Sequence, residues 1–254
     1  MRLVPVISAI AILGAAACTH AQVPLAPLSP GGHHVLFIGN SLTYVNDLPR
    51  TLSDLAASVG DTIKTAMVAK ADYALEDHVA DGGGPKAIAL GGWEFVVLQQ
   101  GPSSLAENRQ NLIAATQYYD GLIRQVGGRT ALYMVWPSVQ NFSSFAAVAG
   151  SYFLAAQAVG GVFMGAGLAW EAAWEKDPNV PLYGSDGLHP SPLGTYLAAL
   201  VMYERITGKD ARALPGRAVV EGRTLDTPEA TIRALQNAAH RVNTDPSVQP
   251  AVRD

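Results

Sequence analysis

An α/β fold on a parallel sheet is predicted by two regularities of this chain. Short runs rich in β-branched, aromatic and aliphatic residues alternate with longer stretches that carry apolar residues at helical spacing, the pattern of βαβ units. The runs are also hydrophobic without interruption, as strands are when helices cover both faces of a sheet. Five strands are expected, over 35–38 (VLFI), 62–69, 95–99 (FVVLQ), 130–136 (TALYMVW) and 162–165. Helices are expected near 48–59, 85–90, 108–126 and 144–159, three of them followed by a glycine (Gly60, Gly127, Gly160) where a left-handed residue closes a helix. His78 falls on a further helix, and Trp170 and Trp174 stand i and i+4 on a short one. A last core helix opens at Ser191-Pro192, runs to about 206 and stops at Thr207-Gly208. Thr227-Pro228-Glu229 announces another, with Thr at its cap, Pro in its first position and Ile232, Leu235 and Ala239 on one face.

Composition narrows the function classes. With 49% hydrophobic and 15% charged residues in 254, the chain is globular and of a length for one large domain. Seventeen Lys+Arg against 21 Asp+Glu, a net charge of -4, leave no basic excess to grip a nucleic-acid backbone. The single cysteine, Cys18, excludes an intrachain disulfide framework and a cysteine-based zinc site.

The N-terminus reads as an export signal, because Met1-Arg2 precedes an apolar run to Ala17 that has the length of a signal h-region. Ala15-Ala16-Ala17-Cys18 resembles the lipobox of bacterial lipoproteins, which implies lipidation at Cys18. Cleavage after Ala17 or Ala21 would instead leave a soluble exported protein. Three prolines and two glycines in Gln22 to Gly32 read as a tether. The expected organisation is a signal over 1–17, a linker over 18–32, one domain over 33–242 and a frayed, flexible tail over 243–254. No later run is read as long enough to cross a bilayer, which takes roughly twenty apolar residues.

Two segments could carry chemistry. Gly39-Asn40-Ser41-Leu42-Thr43 follows the first strand directly, so Ser41 is expected at the carboxyl edge of the sheet, where ligands of open α/β sheets gather. Asp186-Gly187-Leu188-His189-Pro190 stands ahead of the last core helix, where a carboxylate three residues before an imidazole can hold one ring nitrogen and leave the other outward. A serine, a base and an orienting acid are therefore all available. Neither Gly-x-Gly-x-x-Gly nor a Gly-Lys-Ser/Thr phosphate loop follows the first strand, which argues against a nucleotide-binding protein.

Together these segments resemble the first and last blocks of the SGNH, or GDSL-type, hydrolases, over about 33–208. The resemblance implies a single-domain three-layer α/β/α sandwich of flavodoxin-like type with a five-stranded parallel sheet. It also implies Ser41 as nucleophile, His189 as general base and acid, Asp186 as the residue orienting it, and no cofactor or metal. Oxyanion donors implied by the family are the backbone N–H of Ser41, a second N–H at Ala71 or Asp72, where the family has glycine, and a side-chain amide. The family's Gly-x-Asn block is replaced here by Gln99-Gln100-Gly101-Pro102-Ser103-Ser104, which leaves Gln100 or Ser103 to supply that donor, or Gln99 and Gln100 merely to close the strand. The implied activity is hydrolysis of a small acyl ester, acetyl first, on a carbohydrate in a periplasmic, membrane-anchored or secreted setting. A non-catalytic exported binding module and an O-acyltransferase are the alternatives. Trp136 and the glycine-rich stretch 81–84 could line an acyl or sugar pocket, or Trp136 could be core. Trp170 and Trp174 read as an apolar face rather than a sugar platform. His33, His34 and His78 read as solvated or capped.

Overall fold

The computed structural model describes residues 31–250; the expected export signal, Cys18 and the tether as far as residue 30 lie outside the described residues. Strands β1 (His33–Gly39), β2 (Ile63–Ala69), β3 (Phe95–Leu98), β4 (Arg129–Tyr133) and β5 (Val162–Met164) form one parallel sheet in the order β2-β1-β3-β4-β5. The chain winds outward from β1 to β2 and then returns past β1 to build β3, β4 and β5. That reversal opens a crevice at the carboxyl ends of β1 and β3, the switch point of a doubly wound sheet.

Helices follow the winding. On one face α2 (Leu48–Ala57) packs with α8 (Pro192–Thr207), and α9 (Glu229–Thr244) closes over α8 and α7 (Ala166–Trp174). On the other face α5 (Ala106–Gln125) packs with α6 (Phe145–Val159), and α3 (Leu75–Ala80) and α4 (Gly83–Ala89) lie beside α5. With both faces covered, residues 35–38 and 95–98 are wholly buried, which is why these strands could only be apolar. Ser191 caps α8 by accepting from the Gly194 N–H at 3.1 Å, Pro192 occupies its first turn, and Gly208 (φ 70°) closes it, as the sequence predicts.

Several boundaries differ from expectation. β4 stops at Tyr133, because the chain then bends under α7: the Met134 N–H still reaches Met164 O at 3.0 Å, while Met134 O is taken by the Gly167 N–H at 3.1 Å. β3 stops at Leu98; the Gln99 N–H still reaches Ile38 O of β1 at 2.9 Å, and Gln100 is the first residue clear of the ladder. A four-residue helix, α1 (Ser41–Tyr44), and a two-stranded hairpin of β6 (Val219–Val220) and β7 (Arg223–Thr224) carry no sequence signal strong enough to predict. The hairpin turns through Glu221-Gly222, both at positive φ, as type I′ turns require. α9 begins after Pro228 without a side-chain cap from Thr227, and continues to Thr244 with a further turn at Pro246–Val248. Contrary to the hydropathy reading, Val139–Val159 is long and apolar enough to cross a membrane; it is a short 3-10 turn followed by α6, which packs on α5 and β4.

Close approach decides one glycine. A Cβ on Gly194 would stand 2.3 Å from Leu182 O and 2.5 Å from the Trp170 ring, so Gly194→Ala is expected to destabilise the fold by about 1–3 kcal/mol. Urea unfolding with an unchanged slope and a lower midpoint is the measurement.

Candidate active site

Ser41 is the first residue of α1, directly after β1, and its turn is held by buried polar groups. Asn40 caps the helix: its Oδ1 accepts from the Leu42 N–H at 3.1 Å and from Gln99 Nε2 at 2.9 Å, while its Nδ2 donates to Tyr73 O at 3.0 Å. Gln99 completes the lock, since its Oε1 accepts from the Asn40 N–H at 2.9 Å and the Thr43 hydroxyl at 2.7 Å. Its Nε2 also donates to Gln100 O at 2.6 Å. Gly39 has to be glycine because a Cβ would lie 2.4 Å from Gln99 Oε1 and 2.5 Å from the Thr43 hydroxyl. Beneath the turn, His78 is fully buried and donates from Nε2 to Gly39 O at 2.8 Å, leaving Nδ1 without a partner. The expectation of a solvated or capped His78 is therefore corrected. His33 is half-buried and pairs through Nδ1 with Glu94 at 2.7 Å.

Asp186 and His189 meet within one loop. Asp186 Oδ2 lies 2.5 Å from His189 Nδ1, and Oδ1 accepts from the N–H groups of Leu188 at 3.0 Å and His189 at 2.9 Å. The His189 ring bond, followed by those two N–H groups, holds the Asp186 carboxyl down to about 2. With Nδ1–H given to Asp186, Nε2 is left to accept a proton. Gly187 (φ 69°) allows the tight turn.

Neighbours pin this loop through its carbonyls. Trp136 Nε1 donates to Leu188 O at 2.9 Å, the Val139 N–H to Gly187 O at 2.8 Å and the Gly184 N–H to His189 O at 2.7 Å. A tether joins it to the Ser41 segment: Asn46 Nδ2 donates to Pro190 O and to the Thr195 hydroxyl, each at 2.9 Å. Asn46 (φ 55°) and Asp47 (φ 44°) are both left-handed to make that reach, a strain of about 1–3 kcal/mol per residue. No hydrogen bond joins the Ser41 hydroxyl to His189 among the described residues, and such bonds often close only around substrate.

A cleft of about 350 Å³ opens on Ser41 and is lined also by Asp72, Tyr73, Gln100, Ser103 and Leu188. Of the two backbone donors considered, both exposed, Asp72 lines the cleft and has a positive φ (61°), whereas Ala71 is outside the lining. Aspartate is among the side chains that tolerate this conformation. Gln100 is held on all sides. Its Nε2 donates to the Ser103 hydroxyl at 2.8 Å, its Oε1 accepts from the Leu75 N–H at 3.3 Å, and the Tyr152 hydroxyl bridges its N–H and C=O at 3.1 and 2.6 Å. One Nε2 proton thus faces Ser103 and a second remains. Ser103 (φ 57°) is itself left-handed.

Other residues singled out from the sequence stand elsewhere. Trp136 does not line the cleft; it is fully buried and stacked on Trp170 at 3.5 Å, and its work is to hold Leu188. Trp170 is likewise buried, and Trp174 is packed on Tyr183. In the stretch 81–84, Asp81 pairs with Lys70 and caps the Gly83 N–H, away from the cleft lining. Among the described residues one cluster has metal-ligand chemistry, Glu204, Asp210 and His240 at the far end of α8. His240 Nδ1 already bonds Glu204 at 2.7 Å and Arg212 grips Asp210, so it is satisfied as an ion-pair network. Gln99, Asn46 and Tyr152 are the site residues that sequence reasoning missed as contributors; only Gln99, a polar residue at a strand end, carried a signal, since Asn46 lies in a turn and Tyr152 within α6.

No family model and no curated protein matches this sequence. Solved structures do. A DUF4886 family protein from Bacteroides uniformis is similar over 85% of this chain and 96% of its own, with a TM-score of 0.71 and 19% identity. A lipase/acylhydrolase from Enterococcus faecalis is similar over 72% and 97%, at 0.55 and 14%. An acetylxylan esterase from Geobacillus stearothermophilus is similar over 69% and 94%, at 0.52 and 15%. The fold is thereby defined as α/β of the three-layer hydrolase type. More particularly, this chain has the SGNH hydrolase fold.

Two outcomes follow from the buried polar groups. Gln99→Leu would orphan the Asn40 N–H and the Thr43 hydroxyl and should lower stability by about 2–5 kcal/mol in urea unfolding. Burial pushes His78 below its ordinary value of 6.5, so the unfolded chain binds the extra proton. Stability from this group is complete above pH 6.5 and falls as pH drops below it. Thermal unfolding from pH 7.5 to 5.5 should show a smaller decline for His78→Gln than for wild type.

Proposed function

We propose that the chain is a serine esterase that hydrolyses small acyl esters, acetyl first, on a carbohydrate. The observation that carries this reading is the Asp186–His189 pair, already bonded at 2.5 Å, in a loop tethered by Asn46 to the segment that bears Ser41. An SGNH fold whose neighbours include an acetylxylan esterase supports the same class. Export, with lipidation of Cys18 as the anchor, is proposed alongside it from the N-terminal sequence.

In the mechanism, Ser41 Oγ attacks the ester carbonyl as its proton passes to His189 Nε2, while Asp186 keeps Nδ1–H in place and stabilises the imidazolium. Charge on the tetrahedral oxygen is met by the Ser41 and Asp72 N–H groups and by the remaining Nε2 proton of Gln100. The imidazolium then protonates the leaving alcohol, which departs and leaves the acyl group on Ser41. Water repeats the route: His189 takes its proton, the hydroxide oxygen adds to the acyl carbon, and Ser41 leaves with that proton as the acid is freed.

Hydrolysis of a chromogenic acetate ester tests the reading. Ser41→Ala is expected to lower kcat/KM by about 10³-fold or more with its unfolding midpoint unchanged, and Asp186→Asn to lower kcat/KM by a comparable factor. A fluorophosphonate should label wild type at Ser41. Equal turnover by wild type and Ser41→Ala, or no labelling, would sink the proposal and favour a binding module; new esters formed from added alcohols would indicate acyl transfer.

A further inference from the structure

A second depression of about 320 Å³ adjoins the cleft and shares two of its lining residues, Glu76 on α3 and Asn111 on α5. Asn111 Nδ2 donates to Glu76 Oε2 at 2.6 Å, so the two side chains form a polar saddle between the cavities. Beyond it the floor is made of the small or aliphatic residues Val79, Ala80, Ala114 and Ala115, and the far end is Tyr118. Asn108, Asn111, Ala115 and Tyr118 recur at three- and four-residue intervals, which sets them on one face of α5. At 1.5 Å per residue that face runs ~15 Å from Asn108 to Tyr118, several times the size of an acetyl group.

Tyr118 is 48% exposed, yet its ring is braced edge-on by buried Tyr119 with centroids 5.7 Å apart, and Tyr119 donates to Leu75 O at 3.3 Å. An aromatic face fixed beside small residues offers a flat apolar platform with little rotamer freedom to lose on binding. No Lys, Arg or His of the described chain lines either cavity, whereas Asp72 and Glu76 do. An anionic chain would therefore meet like charge. A long acyl chain would have to cross the saddle and desolvate Glu76 and Asn111 without giving either a hydrogen bond. Hydroxyl groups can donate to Glu76 and exchange bonds with Asn111, and the apolar face of a sugar ring suits Tyr118.

We propose that this second depression is a distal subsite for an uncharged polyhydroxyl chain, so that the substrate is an acylated neutral oligosaccharide or polysaccharide that extends from Ser41 across Glu76 and Asn111 to Tyr118. The proposal rests on the esterase reading for what happens at Ser41, but binding at Tyr118 can be measured without turnover. In calorimetry with Ser41→Ala protein and unacetylated neutral oligosaccharides, binding should tighten as the chain lengthens, and adding Tyr118→Ala should weaken the longest by roughly five- to tenfold, about 1–1.4 kcal/mol. Tyr118→Phe, which keeps the ring, should retain at least half the affinity. In turnover, Tyr118→Ala should raise KM for an acetylated oligosaccharide by a similar factor with kcat unchanged, and leave a small chromogenic acetate within twofold. No binding of neutral chains, or length-independent binding indifferent to Tyr118→Ala, overturns the subsite. So does a Tyr118→Ala defect confined to long-chain acyl esters, which would assign the groove to the acyl group. Absence of turnover with intact, Tyr118-dependent binding would count against the esterase reading alone.

Discussion

The side-chain amide of Gln99 is the point on which the active edge of the sheet depends. It is buried, and it uses both its oxygen and its nitrogen to join the ends of β1 and β3. A parallel ladder ends where the chain turns away, and there the backbone groups lose their partners. Gln99 replaces the lost ladder with side-chain bonds to Asn40, Thr43 and Gln100, so the turn bearing Ser41 stays in register with the loop bearing Gln100. Asn40 passes the constraint to the segment after β2 through Tyr73 O. Three loops from three adjacent strands are thus fixed by two amides. A residue shorter by one methylene could not span the same gap from the same strand position without moving β3.

The fourth element of the site is held differently. The loop from Gly184 to Pro190 lies beyond the sheet edge and has no strand to align it, apart from a single bridge between Tyr183 and Pro190. Its rigidity comes from the number of its carbonyls that receive donors: Trp136, Val139, Gly184, Gly187 and Asn46 each supply one. Each such bond contributes only about 0.5–1.5 kcal/mol net, but together they add to the packing of Leu188 and buried Pro190 in restricting the loop. Strain is concentrated here too. Four of the five non-glycine residues at positive φ among the described residues, Asn46, Asp47, Asp72 and Ser103, lie at the cleft or in its tether. Backbone conformations of that cost persist where surrounding bonds over-determine them, and the bonds around Asn46 and Ser103 do so.

The fold was legible in the sequence because its evidence is local and repeated. Runs such as 35–38 and 95–98 announce buried strands, and the glycines after helices mark their ends. Ser41 at a strand end and an aspartate three residues before a histidine were legible for the same reason. What escaped was relational. Trp136 reads equally well as pocket wall or core, and only the stacking of Trp170 behind it decides for core. His78 sits on a short helix with acidic neighbours that suggest solvent, yet the helix turns it inward to the Gly39 carbonyl 39 positions earlier. Asn46 and Gln99 look like ordinary turn and strand-end residues until partners 144 and 59 positions away come into view. Gln100 was legible as a candidate donor, but its confinement by Tyr152 was not.

Electrostatics then set what the cleft can do. With Asp72 and Glu76 in its lining and no cation among the described lining residues, the negative charge that the proposed mechanism develops on a substrate oxygen would be met within the cleft lining by neutral dipoles. Such dipoles work when they are fixed beforehand, because they need not reorient as charge develops. The network of Gln99, Asn40 and Tyr152 would perform that fixing for the proposed donors. Asp72 adds a complication of its own, since the residue proposed to offer an N–H to the cleft also brings a carboxylate. Its exposure to water screens that charge. This acidic, cation-free lining is why the proposed substrate is a neutral ester with a hydroxyl-rich alcohol, since an anionic substrate would meet like charge there.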